Sequence, residues 1–281
     1  MSDKAYNEAP GIRWSTLNAA LTSAKALRHR LDNKRADTAA FGLGRAVHLT
    51  VLETAPVPAI PAEHLTPSGA VSTAAKTKQW LADCAAEGLE FYSAADITTA
   101  NHIADSLNSE PVAAETLALC PQRERAVYWT ETVYGVEVAC KACFDLYGPA
   151  LGLLADLKTS GRGSLTERGV VAAILRFHYA GQLAWYERGM LANGFPVSEW
   201  RLLFVETAEP HDCMVVELGD DWRAFGREQA ERALHTYAAG VASGEWPGVA
   251  PGLVRLELPA WLADDTANAS EDGDDLEGLN G

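Results

Sequence analysis

The sequence predicts an α/β fold: a central mixed β-sheet flanked by helices, preceded by a helical N-terminal portion. Three observations predict it. Up to about residue 120, apolar residues recur mainly at helical spacing. From 121 to 160 the pattern changes to three strand-like runs joined by short turns. Beyond that, helix, paired strands and helix follow in turn, the order expected of a sheet packed against helices.

The first helix is placed at 15–31, with Ser15 as its N-cap and Leu17, Leu21, Ala24, Leu27 and Leu31 along one side. A second covers about 39–53. The four prolines of "TAPVPAIPAEHLTPSG" mark a loop at 54–69. Helices follow near 73–87, 95–108 and 112–119. "RERAVYWTET", "VEVACKACFDLYG" and "LGLLADLKTS" are the three strands, turning at Tyr134-Gly135 and Gly148-Pro149. One long helix is expected at about 170–193, then strands "EWRLLFVET" and "CMVVEL", then a helix at about 221–243. Residues 1–262 are expected to form one domain, with its helical part at about 12–120 and its core at about 121–245. The tail 263–281 carries seven acids, no base and little to bury, so disorder is expected there.

Composition narrows the function classes. No run of eighteen apolar residues exists, so no membrane-spanning helix is expected. The opening "MSDKAYNEAP" has no apolar signal-peptide core, and five cysteines without framework spacing suit a reducing cytoplasm. No Gly-x-x-x-x-Gly-Lys-Ser/Thr loop is present, which argues against a nucleotide-driven motor. The net charge of −15, less the tail's −7, leaves −8 on the rest. That disfavours long-range attraction to nucleic acid, although a binding site needs only a local basic patch.

Asp145, Asp156 and Lys158 interrupt stretches that otherwise read as buried strand. Alternation puts Val136, Val138, Cys140, Ala142, Phe144 and Leu146 on one face, and Glu137, Ala139, Lys141, Cys143, Asp145 and Tyr147 on the other. In the next strand Leu154, Asp156 and Lys158 oppose Leu153, Ala155 and Leu157. Pairing the two strands as a hairpin would bring both acids and the lysine together. Two buried carboxylates repel, and a divalent cation with oxygen ligands removes that repulsion. The alternative is an edge hairpin with a solvated Asp–Lys pair. His48 lies in the helical stretch "GRAVHLTVLE", where a histidine serves packing as readily as a ligand. Tyr179, Gln182 and Tyr186 share one helical face, either as an amphipathic stripe or as part of a site.

The order Gly44-x-x-x-His48-x-x-x-Leu52-Glu53, Lys141-x-x-x-Asp145, Asp156-x-Lys158-Thr159 and Tyr179-x-x-Gln182-x-x-x-Tyr186 resembles the PD-(D/E)xK nuclease superfamily. The likeness is to its RecE-type and lambda-exonuclease-like branch, and covers most of residues 12–240. It implies a restriction-endonuclease-like core and a metal-dependent exonuclease that degrades double-stranded DNA 5′ to 3′ and leaves 3′ overhangs. By this resemblance His48, Asp145, Asp156 and the Leu157 carbonyl would hold two Mg2+ (or Mn2+) ions, and Lys158 would position or activate water. Gln182 and Tyr186 would hold the strand or groups beside the metals. It further implies a ring-shaped homo-oligomer, trimer or tetramer, and a single-strand-annealing recombinase as partner. Arg13, Ser15, Arg28 and Arg45 are candidates for gripping a 5′-phosphate, with Arg162 and Tyr179 for further DNA contact. A RecB-like nuclease or endonuclease on the same site, and a non-catalytic DNA-binding scaffold, are the competing readings. The sequence departs from the family where Cys143-Phe144 stand before the first aspartate in place of arginine or proline, and where Asp156 replaces the commoner glutamate.

Two further features have plainer readings. Cys140-x-x-Cys143 on a strand points its thiols to opposite faces, which suits structural cysteines better than zinc. Trp185, beside the Gln182–Tyr186 stripe, reads as core in preference to a base-stacking surface.

Overall fold

The structure, a computed structural model, describes residues 3–33, 39–53, 56–250 and 252–257. The acidic tail at 263–281 lies outside the described residues.

The N-terminal portion is helical, in shorter pieces than expected. Helices α1 (Asp3–Glu8) and α2 (Trp14–Leu17) lead into a 3-10 turn (Asn18–Leu21) and α3 (Ala24–Asp32). Ser15 is therefore not a cap. It sits inside α2, whose N-cap position is Arg13 with no side-chain bond. The cap lies further on, where extended Ser23 accepts the Ala26 N–H at 3.0 Å and starts α3. Leu17 and Leu27, both fully buried, belong to two helical pieces that share one core, which is why the spacing looked continuous.

Helix α4 (Ala39–His48) passes directly into a π turn at Leu49–Glu53. The helices α5 (Ala75–Glu87), α6 (Ala94–Ser109) and α7 (Pro111–Leu119) follow. Ser93 caps α6 through the Asp96 N–H, while Glu110 caps α7 through the Ala113 N–H and Pro111 opens that helix.

The sheet contains β1 (Gln122–Val133), β2 (Val136–Gly148), β3 (Leu153–Ser160), β4 (Glu199–Glu206) and β5 (Cys213–Glu217), in that spatial order. All neighbours are antiparallel except β3 and β4, which are parallel. A parallel pair needs a crossover, supplied here by α8 (Glu167–Phe177) and α9 (Tyr179–Ala192). The expected single helix at 170–193 is broken at His178, which takes φ 57 and ends α8 with its N–H on the Ile174 carbonyl. The last helix is α10 (Asp220–Ser243).

Each side of the sheet has a core. One gathers Trp14, Leu17, Phe144, Leu154, Leu183, Trp185, Trp200 and Leu234. The other gathers Val47, Leu52, Ile103, Leu107, Leu146, Ala155, Leu157 and Leu203. Each fully buried leucine contributes about 1.5–3 kcal/mol relative to exposure. Trp185 is buried, with its indole N–H donating to the Lys141 carbonyl at 3.1 Å, so it is core as expected. Helices α9 and α10 approach until a Cβ on Gly226 would stand 2.3 Å from the Ala180 carbonyl oxygen.

Strict alternation holds in β3 and fails in β2. Phe144 and Tyr147 join the same core, and Leu146 joins the other. The cause lies in the register. Arg123 pairs with Leu146 and Arg125 with Phe144, but Glu124, at φ 45, and Asp145 opposite it are skipped. Likewise β2 and β3 pair only from Leu146↔Ala155 to Gly148↔Leu153. The Lys141 ammonium donates to the carbonyls of Tyr6, Asn7 and Ala9, with the shortest contact at 2.6 Å.

Candidate metal centre

The gap in the ladder is where charged side chains converge. His48 ends α4, and the π turn behind it is tied down by Arg123. That guanidinium donates to the carbonyls of Val51 and Leu117, both at 3.0 Å, and of Cys120 at 3.4 Å. The tie fixes the end of α4 against the start of β1. His48 Nδ1 consequently lies 3.2 Å from Glu124 Oε1 and 3.8 Å from Asp145 Oδ2.

Asp145 is buried, and its Oδ2 accepts the Leu157 backbone N–H at 2.9 Å. Asp156 is fully buried and ion-paired with Lys158. Gln182 connects the two: its Nε2 donates to Asp156 Oδ1 at 3.2 Å, and its Oε1 accepts from Lys158 Nζ at 3.0 Å. The same Nε2 lies 2.6 Å from the Tyr186 hydroxyl. The Lys158 ammonium also stands 4.6 Å from the centre of the Tyr179 ring.

These groups reset one another's protonation. Burial raises Asp145 against the opposing pull of His48. Burial, reinforced by Asp145 and opposed by Lys158, pushes Asp156 up to about 6. Burial works against charge on His48, but Asp145 and then Glu124 outweigh it and push the imidazole up to about 9. Lys158 is raised as well: burial opposes its charge, and Asp156 and Asp145 outweigh that. Burial, then Asp156, holds the Tyr186 hydroxyl well above its ordinary value.

The donor set fits a divalent cation. Ligand atoms of His48, Glu124 and Asp145 all lie within 4.8 Å of one another. One imidazole nitrogen with carboxylate oxygens suits Mg2+ or Mn2+ better than a thiolate-seeking ion. The raised carboxylates carry a repulsion that a cation would relieve.

The expected residues thus divide into two groups. The first joins two contact sets along β3: His48, Asp145 and Leu157, and beside them Asp156, Lys158, Tyr179, Gln182 and Tyr186. The N-terminal candidates engage local partners instead. Arg13 is exposed and donates to Asn7 Oδ1 at 2.7 Å, and the Ser15 carbonyl accepts from Arg30. Arg28 pairs with Asp32 and Arg45 with Glu90. Arg162 is exposed in the segment after β3. Of the two cysteines, Cys140 is buried in the core, while Cys143 Sγ reaches Glu124 Oε2 at 3.7 Å. All five cysteines are free.

Sequence reasoning missed Glu124. The triplet Arg123-Glu124-Arg125 at a strand start reads as a solvated edge. Only the φ of 45 and the skipped register aim the carboxylate at His48.

A family model described as a PDDEXK-like domain of unknown function (DUF3799) matches residues 14–252. The chain is similar to the crystal structure of a "putative exonuclease" from Eubacterium rectale. That likeness has a TM-score of 0.58 at 13% identity and covers 95% of this chain and 98% of that one, which shows a shared fold. It also aligns with a phage related exonuclease from Haemophilus somnus 129PT, at 13% identity and a TM-score of 0.33, covering 71% of this chain and 95% of that one. No curated protein matches. Among the described residues, no helix is long and apolar enough to cross a membrane.

Proposed function

This chain belongs to the PDDEXK-like family, and we propose that it is a metal-dependent exonuclease that degrades double-stranded DNA. The observation that carries the reading is the placement of Asp156 and Lys158 against one amide, Gln182, beside the His48–Glu124–Asp145 cluster. A fold shared with a protein described as an exonuclease, over nearly the whole of both chains, supports it.

His48, Glu124, Asp145 and Asp156, with the Leu157 carbonyl, are proposed to hold two Mg2+ or Mn2+ ions, which would supply an acidified water and charge neutralisation at the phosphate. The chain's own residues do the rest. Asp156 and Asp145 hold Lys158 as an ammonium, which suits it to stabilising the negative charge that builds on a phosphate under attack. Gln182 fixes that ammonium between Asp156 and the Tyr179 ring, so its position does not depend on substrate. Asp145 does two jobs, closing the strand gap through Leu157 and offering its carboxylate to the cluster.

The finer proposal is 5′-to-3′ resection leaving 3′ overhangs. It includes a ring-shaped homo-oligomer, a single-strand-annealing recombinase as partner, and action in the cytoplasm of a bacterium or its phage-infected host. The resemblance of the four motifs to RecE-type enzymes supports this. Incubating end-labelled duplex with Mg2+ tests it, and stepwise loss from 5′ ends is expected. Internal cuts would replace it with an endonuclease, and no cleavage with a DNA-binding scaffold.

A further inference from the structure

We infer that Phe177, with Arg176 beside it, is a base-stacking platform that takes one unpaired nucleotide of a DNA strand entering the site. The inference rests on the nuclease reading, and adds a substrate feature: a frayed or single-stranded end.

The break at His178 is the first observation. In a continuous helix residues 177 and 179 would point about 200° apart, on opposite sides. Because His178 takes φ 57, α8 stops and α9 restarts, and the rings of Phe177 and Tyr179 stack with centroids 5.5 Å apart and planes 28° from parallel. Tyr179 in turn lies against the Lys158 ammonium at 4.6 Å. A short aromatic path therefore leads from the lysine out to Phe177, which remains 49% exposed.

Charge is the second. On this acidic chain most arginines of the described residues are spent on carboxylates or carbonyls. Arg28, Arg45, Arg188, Arg201, Arg223 and Arg227 are all ion-paired. Arg162, Arg168 and Arg176 are exposed, and none has an ion-pair partner among the described residues. All three fall in the stretch between Lys158 and Tyr179. The Arg176 guanidinium stands 5.3 Å from the centre of the Phe177 ring. An exposed aromatic with an arginine beside it is what single-strand binders use to take a base and its phosphate together. A protein partner for the exposed Val171, Leu175 and Phe177 would account for the apolar surface but not for the unpaired arginines or the path to Lys158.

The probe is a short duplex with one unpaired 2-aminopurine at its end. It is bound to the full chain in EDTA and read by fluorescence quenching and by anisotropy. Wild type should bind and quench. Phe177→Ala, exposed and so compatible with folding, should abolish quenching and weaken binding roughly 5- to 150-fold, which corresponds to about 1–3 kcal/mol per stacked base. Phe177→Trp should restore both. Unchanged quenching in Phe177→Ala overturns the inference, as does a wild type that does not bind. A variant altered only in mass by light scattering does so too, and assigns the face to a second copy. Mg2+-dependent cleavage of the same duplex is scored separately, so quenching without product would remove the nuclease reading alone.

Discussion

The Asp145 carboxylate accepts the Leu157 backbone N–H at 2.9 Å, and so a side chain closes the ladder where β2 and β3 no longer pair. A buried strand N–H without a partner is costly. The acid of the candidate metal cluster is thereby also part of the sheet, and its orientation is set without a ligand. Asp145→Ala would lose both roles, so it is a poor test of catalysis, and the cleaner tests lie at its neighbours.

Asp156 is one. Asp156→Asn keeps the shape and the Gln182 contact while removing the charge. Cleavage in saturating Mg2+ should fall by more than about 100-fold, beyond the 10- to 100-fold typical of an outer-shell loss. Circular dichroism should be unchanged. Near-wild-type turnover would remove Asp156 from the site, and EDTA should silence the wild type.

Glu124 separates the structural reading from the motif reading. Glu124→Gln should raise the Mg2+ concentration for half-maximal cleavage by about 10- to 100-fold, with little loss at saturation. A titration indistinguishable from wild type would mean that His48 and Asp145 hold metal without it.

The pH dependence has a definite sign. Asp156 sits at about 6 when folded, above the ordinary carboxylate value near 3.9, so its ionisation costs stability as pH rises from about 4 to 6. His48 sits at about 9, above its ordinary 6.5 or so. Its contribution is full below about 6.5 and lost as pH rises through 9. In EDTA the melting temperature should therefore step down across both windows. A cation replaces the protons of both groups, so the gain from Mg2+ should be larger at pH 8 than at pH 5. Differential scanning fluorimetry reads this directly, and an equal gain at both values would contradict it.

Gly226→Ala probes the scaffold. The added methyl would meet the Ala180 carbonyl, which is backbone and cannot swing aside. The expected loss is about 1–3 kcal/mol by chemical denaturation. A stability equal to wild type would show that α9 and α10 can separate without cost.

The acids and lysine of the site were legible because residue type alone carries their chemistry. Asp145, Asp156 and Lys158 are conspicuous in strands that are otherwise apolar, and Gln182 and Tyr186 follow from helical spacing. What stayed hidden depends on backbone states that leave no mark in composition. The φ of 45 at Glu124 falls on a residue type with no special claim to positive φ, and the φ of 57 at His178 on one that adopts it only in a minority of cases; the first aims its own carboxylate and the second reorients the residues on either side. The same holds for Ser15 and Ser23, equally good caps by type, of which the packing of Leu17 and Leu27 selects the second. Nor does residue type mark the partners of the 5′-phosphate candidates: in the fold Arg28 pairs with Asp32 and Arg45 with Glu90.

The spatial order of the strands equals their order along the chain. Synthesis from the N-terminus therefore delivers His48, Glu124, Asp145, Asp156 and Lys158 as one uninterrupted block, while Gln182 and Tyr186 are still to be made. A nascent chain can gather its acids early, yet the amide that aims the lysine comes only with α9. Growth of the polypeptide thus presents the proposed metal ligands before the amide that aims the lysine.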